Sequence, residues 1–422
     1  MEKIYNKNQK KNYNKQVIFL SLLLVMSEVI DAEIFLFVIT LYLSMMTFKV
    51  GIIKKALKIN IYLISIFIIG FTVGIIQLAI NSYDIRDFFR DMSRFLTPII
   101  FITYGIYLRF NKKVNIKKIY ISIINAAIII EIRHLLLIFF NMKNIINGLS
   151  IRGIGGNGSY ITMIAIIILL FYKDNDDLYY FGTRIKKYTI ITCLLTLFIS
   201  YLSRTHLIIF LIGITINIFI TRKIRFKKVV SCIIYILILS VIGLIIIPEN
   251  TLNQFINKFS NSINEISANS EQWNELSINN NWRGYEVYRT KELFKEVNSK
   301  ELLFGFGFGK RVDLNTGIYL GDQKFYSIPI LHNGYYYILL KSGIFGLIIY
   351  ITFTIKIILR NYNKIYNDDF ESKLLCIIGI SILFTTYVVT GIYNRGSMFV
   401  FCLIIAMSFY DINKNNYVNN RE

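Results

Sequence analysis

An all-α integral membrane protein of about twelve transmembrane helices, with one long outward-facing loop between the ninth and tenth, is the fold this sequence predicts. Three observations predict it. The chain is 55% hydrophobic over 422 residues, with only three prolines, a composition that would aggregate in water. Apolar runs near the length needed to cross about 30 Å of hydrocarbon recur from end to end. Lysine and arginine, which concentrate on the cytoplasmic side of short loops, alternate in density from one loop to the next.

The twelve runs are 17–30, 34–48, 61–80, 95–108, 119–140, 160–172, 188–202, 207–220, 229–247, 335–359, 374–390 and 397–409. The first two are short and read as a hairpin. Three regions follow: transmembrane helices 1–9 over 1–247, an extracytoplasmic loop over 248–334, and helices 10–12 with a tail over 335–422. With the amino terminus inside, 29 of the 47 basic residues fall on inner segments; of the 16 on outer segments, nine lie in the long loop, where the rule does not apply. Both termini are therefore expected in the cytoplasm. The net charge of +21 reads as an orientation signal, aided by anionic inner-leaflet lipid, and needs no nucleic-acid partner. Lys10, Lys11 and Lys15 before an apolar run imitate a signal peptide. No small-residue cleavage site follows and a second span comes at once, so a retained first helix is expected. Cys193, Cys232, Cys376 and Cys402 are scattered within spans and suggest neither a disulfide framework nor a zinc site.

Taken in order, the outward segments hold the polar chemistry. Between spans three and four, Arg86, Arg90 and Arg94 recur every fourth residue as a cationic stripe beside Asp84, Asp87 and Asp91; mutual pairing on an interfacial helix and phosphate binding both fit. Glu131, Arg133 and His134 interrupt the fifth span near its outer end, where charged groups need a partner or a wet cavity. The loop Ser150–Ser159 is flexible by its glycines and is a plausible entry to that cavity. The turn 202–206 is very tight and puts Arg204 at the bundle mouth, where its fork suits a pyrophosphate; a snorkelling arginine at a helix end would look the same.

The long loop opens with a polar stretch, 250–281, that reads as an amphipathic arm or a lid. From Tyr285 to Phe294 the apolar residues suit a surface helix resting on the membrane, and Trp273 and Trp282 suit sugar stacking or interfacial anchoring. Gly305-Phe-Gly-Phe-Gly-Lys310 lacks the spacing of a nucleotide loop and predicts tight backbone packing near the bilayer surface. His332 then stands where the loop meets the tenth span. A neutral imidazole there can take the proton a sugar hydroxyl must lose to become a nucleophile; capping the helix beside Asn333 is the simpler role. Arg395, between the last two spans, lies on the same surface.

His332-Asn333-Gly-Tyr335 followed by Gly343-x-x-Gly346 resembles the signature of the O-antigen polymerase and ligase superfamily, membrane enzymes acting on lipid-linked glycans. Ser203-Arg204-Thr205, Arg283, and Leu303-x-Gly-x-Gly307 resemble further elements of it; the first half of the chain resembles it only in topology. The resemblance implies a GT-C-like membrane glycosyltransferase in the bacterial cytoplasmic membrane. Its substrate would be an undecaprenyl-pyrophosphate-linked oligosaccharide, with His332 as the base and Arg204 and Arg283 on the pyrophosphate. Asn333, Tyr335, Arg86, Arg90, Arg133 and Arg395 are accessory candidates. No aspartate pair on that face has convincing metal spacing, so a metal-independent reaction without cofactor is expected. The motifs do not separate polymerase from ligase. The high isoleucine, asparagine and lysine usage, common in surface-polysaccharide clusters, and the greater number and divergence of polymerases favour a polymerase of repeat units with a chain-length regulator protein as partner; a ligase transferring glycan to lipid A-core or protein is the alternative. A flippase is a third reading, disfavoured because the ionisable groups gather at the outer face and not at mid-membrane breaks.

Overall fold

The computed structural model describes residues 2–45, 50–81, 83–111, 114–143, 159–172, 184–201, 203–219, 256, 273–320, 323–365, 369–394 and 398–407. The ninth expected span, the glycine-rich loop 150–158, most of the polar stretch 250–281, Cys232 and Arg395 lie outside these residues.

The apolar runs form helices: α1 (Glu2–Val29), α2 (Ala32–Met45), α3 (Val50–Asn81), α4 (Ile85–Asn111), α5 (Ile116–Phe140), α6 (Tyr160–Phe171), α7 (Arg184–Ser200) and α8 (Arg204–Phe219). The segment expected to face outward supplies α9 (Glu275–Asn280), α10 (Trp282–Lys295), α11 (Ser299–Phe304), β1 (Val312–Leu320) and β2 (Gln323–Ile328). It leads into α12 (Gly334–Ile365) and α13 (Phe370–Val388). Among the described residues four helical stretches are long and apolar enough to cross a membrane: Ile53–Ile80, Ile116–Phe140, Gly334–Ile365 and Phe370–Val388. Asn115 and Asp369 cap α5 and α13 by accepting from the N–H groups of Lys118 and Ser372.

Two features depart from the sequence reading. The fold is not purely helical: β1 and β2 pair antiparallel, with Tyr319 opposite Lys324 and Ile318 opposite Phe325. The segment expected to form a separate interfacial helix before span four is the first turns of α4 itself, which runs unbroken from Ile85.

The Gly-Phe loop is buried well inside the bundle. Phe308 donates its N–H to the Gly70 carbonyl of α3 at 2.9 Å, eleven residues or about 16 Å below the end of that helix. Its ring packs against Phe67, Phe88 and Phe95. Gly305, Gly307, Gly309 and Gly343 all have positive φ, the region glycine enters without strain. At Gly307 (φ 79°) a Cβ would come within 2.2 Å of the Gly74 nitrogen. Gly307→Ala is expected to destabilise the protein by about 1–3 kcal/mol through overpacking, read as a lower melting temperature in detergent. Gly343 (φ 65°) interrupts α12 where the loop abuts it, and Phe306 donates to the Leu340 carbonyl at 2.9 Å.

Ion pairs hold the loop in place. Asp91 of α4 pairs with Lys341 of α12 at 2.6 Å, both fully buried, and accepts from the Tyr337 hydroxyl (2.6 Å) and the Gly309 N–H (2.8 Å). One turn earlier, Asp87 pairs with Arg90 (2.6 Å) and Arg311 (2.9 Å). Arg311 also reaches the Ser327 hydroxyl and carbonyl. The segment is thereby pinned to α4 at the open end of the hairpin, where β1 begins and β2 ends. Tyr83, between α3 and α4, borders Gly309; burial and the nearby Glu301 carboxylate push its phenol up to about 12.

Candidate active site

Asn333 builds the corner on which His332 stands. Its Oδ1 accepts from the N–H groups of Tyr335 (3.1 Å) and Tyr336 (3.3 Å), capping the first turn of α12. Gly334 donates to the Val389 carbonyl, just beyond α13, at 3.0 Å. The cap thus falls to Asn333, and the His332 side chain, 49% exposed, faces outward.

Glu286 of α10 holds that imidazole. Its side chain is only 2% exposed. One carboxylate oxygen accepts from the His332 backbone N–H at 2.9 Å, and the other lies 2.9 Å from Nδ1. An ionised carboxylate can only accept, so Nδ1 carries the ring proton and Nε2 keeps its lone pair. The result is a histidine fixed at two points, with its basic nitrogen turned from the glutamate. Such an arrangement can take a proton from a bound hydroxyl and stabilise the imidazolium that forms.

Helix α10 reaches His332 because its other contacts fix it. Tyr285, Val287 and Thr290 are buried. The Tyr285 hydroxyl donates to the Leu314 carbonyl of β1, and Arg289 donates to the Asp313 carbonyl at 3.0 Å. The helix packs on β1 and α12, a correction to the membrane-resting helix expected from its apolar pattern: the hairpin covers the face that pattern offered to lipid. Trp273 and Trp282, candidates for sugar stacking, lie against tyrosines of this helix, with Trp273 5.1 Å from Tyr285 and 5.7 Å from Tyr288.

Arg283 precedes Glu286 by three residues on α10 and so lies on the same side of the helix; it is half-buried. Arg204, also half-buried, is the first residue of α8, which packs on α13. Arg283 and His332 are thus linked through α10, which carries both Arg283 and Glu286, while Arg204 begins a separate helix, α8. The accessory candidates separate. Tyr335 donates its hydroxyl to the Leu383 carbonyl of α13 at 2.9 Å. Arg90 is engaged by Asp87, and Arg86 and Arg133 are exposed.

In the fifth span, Glu131 is buried while Arg133 is exposed, so the two point apart. His134 stacks on Tyr201 at 3.9 Å and meets the Ser200 hydroxyl at 2.9 Å, inside the bundle. Among the described residues no group of three or more His, Cys, Asp or Glu side chains is placed to hold a metal ion.

Glu286 was not singled out by the sequence. A carboxylate on the face shared by Trp282, Thr290 and Leu293 was the available signal, since a charge among such residues at helical spacing requires a buried partner.

Residues 188–351 match the family model described as O-antigen ligase, the superfamily that the motifs resemble. The matched stretch covers less than half of the chain and contains Arg204, Arg283, Glu286 and His332. No curated protein matches the chain.

Proposed function

We propose, from the O-antigen ligase match of residues 188–351, that the protein is a polymerase of surface polysaccharide. It would join undecaprenyl-pyrophosphate-linked oligosaccharide repeat units on the outer face of the bacterial cytoplasmic membrane, with both of its termini inside. The observation that carries the reading is the buried Glu286 holding His332 at two atoms, on the helix that also bears Arg283.

In this reading His332 Nε2 takes the proton of an acceptor sugar hydroxyl. The freed oxygen attacks the anomeric carbon of the donor glycan, and the bond from that carbon to the pyrophosphate breaks. The electron pair leaves on undecaprenyl pyrophosphate. Arg204 and Arg283 stabilise the charge gathering there, a task that falls to a metal ion in many transferases. Chain transfer is accordingly expected to continue in membranes washed with EDTA; a loss that magnesium restores would overturn metal independence. Chain growth would be set with a separate length-regulating protein.

Ligase-type transfer to lipid A-core or protein is the second reading, favoured by the description of the matched family. The test is surface polysaccharide length by gel in a strain whose own copy is deleted. A polymerase leaves a single repeat unit on the final acceptor, and the plasmid copy restores the ladder. Long chains accumulating on undecaprenyl pyrophosphate would identify a ligase. Units trapped on the inner leaflet would identify a flippase.

A further inference from the structure

The hairpin of β1 and β2 has two unlike faces. Ile318 is buried and Phe325, opposite it, is half-buried on the inner face, and β1 packs against α10; Val312, Leu314 and Ile328 are buried toward the base of the hairpin. The outer face bears Tyr319 (57% exposed) and Tyr326 (63% exposed). Lys324 stands directly across from Tyr319 in the strand register. Its ammonium lies 5.5 Å from one ring centroid and 5.6 Å from the other. Gly317 completes the surface: a Cβ there would come within 2.2 Å of Lys324 Cε and 2.9 Å of the Tyr326 ring, so only glycine lets both lie down against the strand. Exposed Asp313, Asn315, Thr316 and Gln323 edge this face.

The chemistry of the face differs from the lipid-compatible surface of the same segment. There α11 exposes Leu302, Leu303 and Phe304, with Phe304 packed on Phe345 at 5.3 Å. Among the described side chains of the hairpin, none of those exposed beside the tyrosines is aliphatic. Its rings have apolar faces and polar hydroxyls, with an ammonium between them and amide and hydroxyl groups at the edge. A sugar chain has the matching pattern: C–H faces that lie on an aromatic ring, and hydroxyls at the rim. A hydrocarbon tail would leave the polar rim unmet.

Position supports the same occupant. Helix α10 fixes His332 through Glu286 and fixes β1 through Tyr285 and Arg289, three neighbouring positions of one helix. β2 ends at Ile328, four residues before His332. The face and the base are therefore both held by α10. We infer that the outer face of this hairpin is a saccharide-binding shelf. The glycan lies across Tyr319 and Tyr326, and Lys324 donates to its hydroxyl or carboxylate oxygens. The inference rests on the glycan-transfer reading and names where the sugar chain is held, apart from the pyrophosphate.

The test uses the full-length protein in nanodiscs and, as probe, the polysaccharide released by mild acid from the surface of the source cells. The double variant Tyr319→Ala/Tyr326→Ala is expected to bind it about tenfold more weakly, the scale of losing two aromatic contacts. Tyr319→Phe/Tyr326→Phe should retain most of the affinity. His332→Ala should bind as wild type does, and all variants should melt together because the replaced groups are exposed. In cells, the double alanine variant should still join units but give a shorter modal chain length. Unchanged binding in the double alanine variant overturns the shelf, as does a wild-type protein that binds no polysaccharide. Unchanged binding together with weaker retention in the bilayer would reassign the tyrosines as an interfacial anchor, which also overturns it. If the shelf variants lose binding while deletion of the protein leaves surface polysaccharide unaltered, the shelf stands and the polymerase reading falls.

Discussion

Replacing His332 by alanine is expected to slow glycan transfer by about 10²–10⁴-fold, the usual contribution of a positioned general base, at unchanged membrane level. The imidazole is half exposed and its backbone N–H still reaches Glu286 after the substitution, so little of the fold depends on the ring. Glu286→Gln is the more informative companion. The amide oxygen can still accept from the His332 backbone, which turns the NH₂ group toward Nδ1. That group donates, so Nδ1 must accept, and the ring proton moves to Nε2. The base would then carry a proton where it needs a lone pair. Transfer should fall steeply while the melting temperature stays close to wild type. Wild-type rates in Glu286→Gln would show that the tautomer has no part in the reaction.

Asp91→Ala is expected to destabilise the protein by about 3–5 kcal/mol, the cost of leaving a buried charge without its partner. Lys341 is fully buried, and Asp91 is its partner at 2.6 Å; the same change also strips the Tyr337 hydroxyl and the Gly309 N–H of their acceptor. Pairing it with Lys341→Met removes the stranded ammonium and should restore much of the loss, since apolar replacement of a whole buried pair is often close to neutral. The melting temperatures of the two single variants and the double variant in detergent form a cycle. A double variant no more stable than Asp91→Ala would mean that the hydrogen bonds to Tyr337 and Gly309, and not the ion pair, hold the loop.

Much of the bundle was legible because hydrophobic runs report helices directly. The runs at 119–140 and 374–390 fall on α5 and α13 to within a few residues. Of the turn expected over 202–206, the residues from Arg204 onward are already the first turn of α8. The hairpin was not legible. Val312, Leu314, Ile318 and Ile328 are too few to signal a strand within a polar loop, and a bulge between Asp313 and Ile318 breaks their alternation. With the hairpin unseen, α10 appeared to need a membrane to cover its apolar face. The charges of α4 were legible only in part: Arg90 pairs with Asp87 as mutual pairing on the helix expected, but which stripe turns inward depends on Lys341 and Arg311, some 220 to 250 residues away. His332 was a candidate in the sequence because its own type and place suit the chemistry. Glu286 was not, because its part depends wholly on a contact 46 residues distant.

The depth of the Gly-Phe loop gives the protein a ruler. Because Lys341 is locked to α4 and His332 stands at the head of the same short half-helix, the base is carried about 13 Å above the lock, at 1.5 Å per residue. That height is measured from protein and not from lipid. On the proposed reading, a thinner or thicker bilayer would therefore slide the headgroup of a lipid-linked substrate past a stationary nitrogen, and the rate of transfer would report membrane thickness.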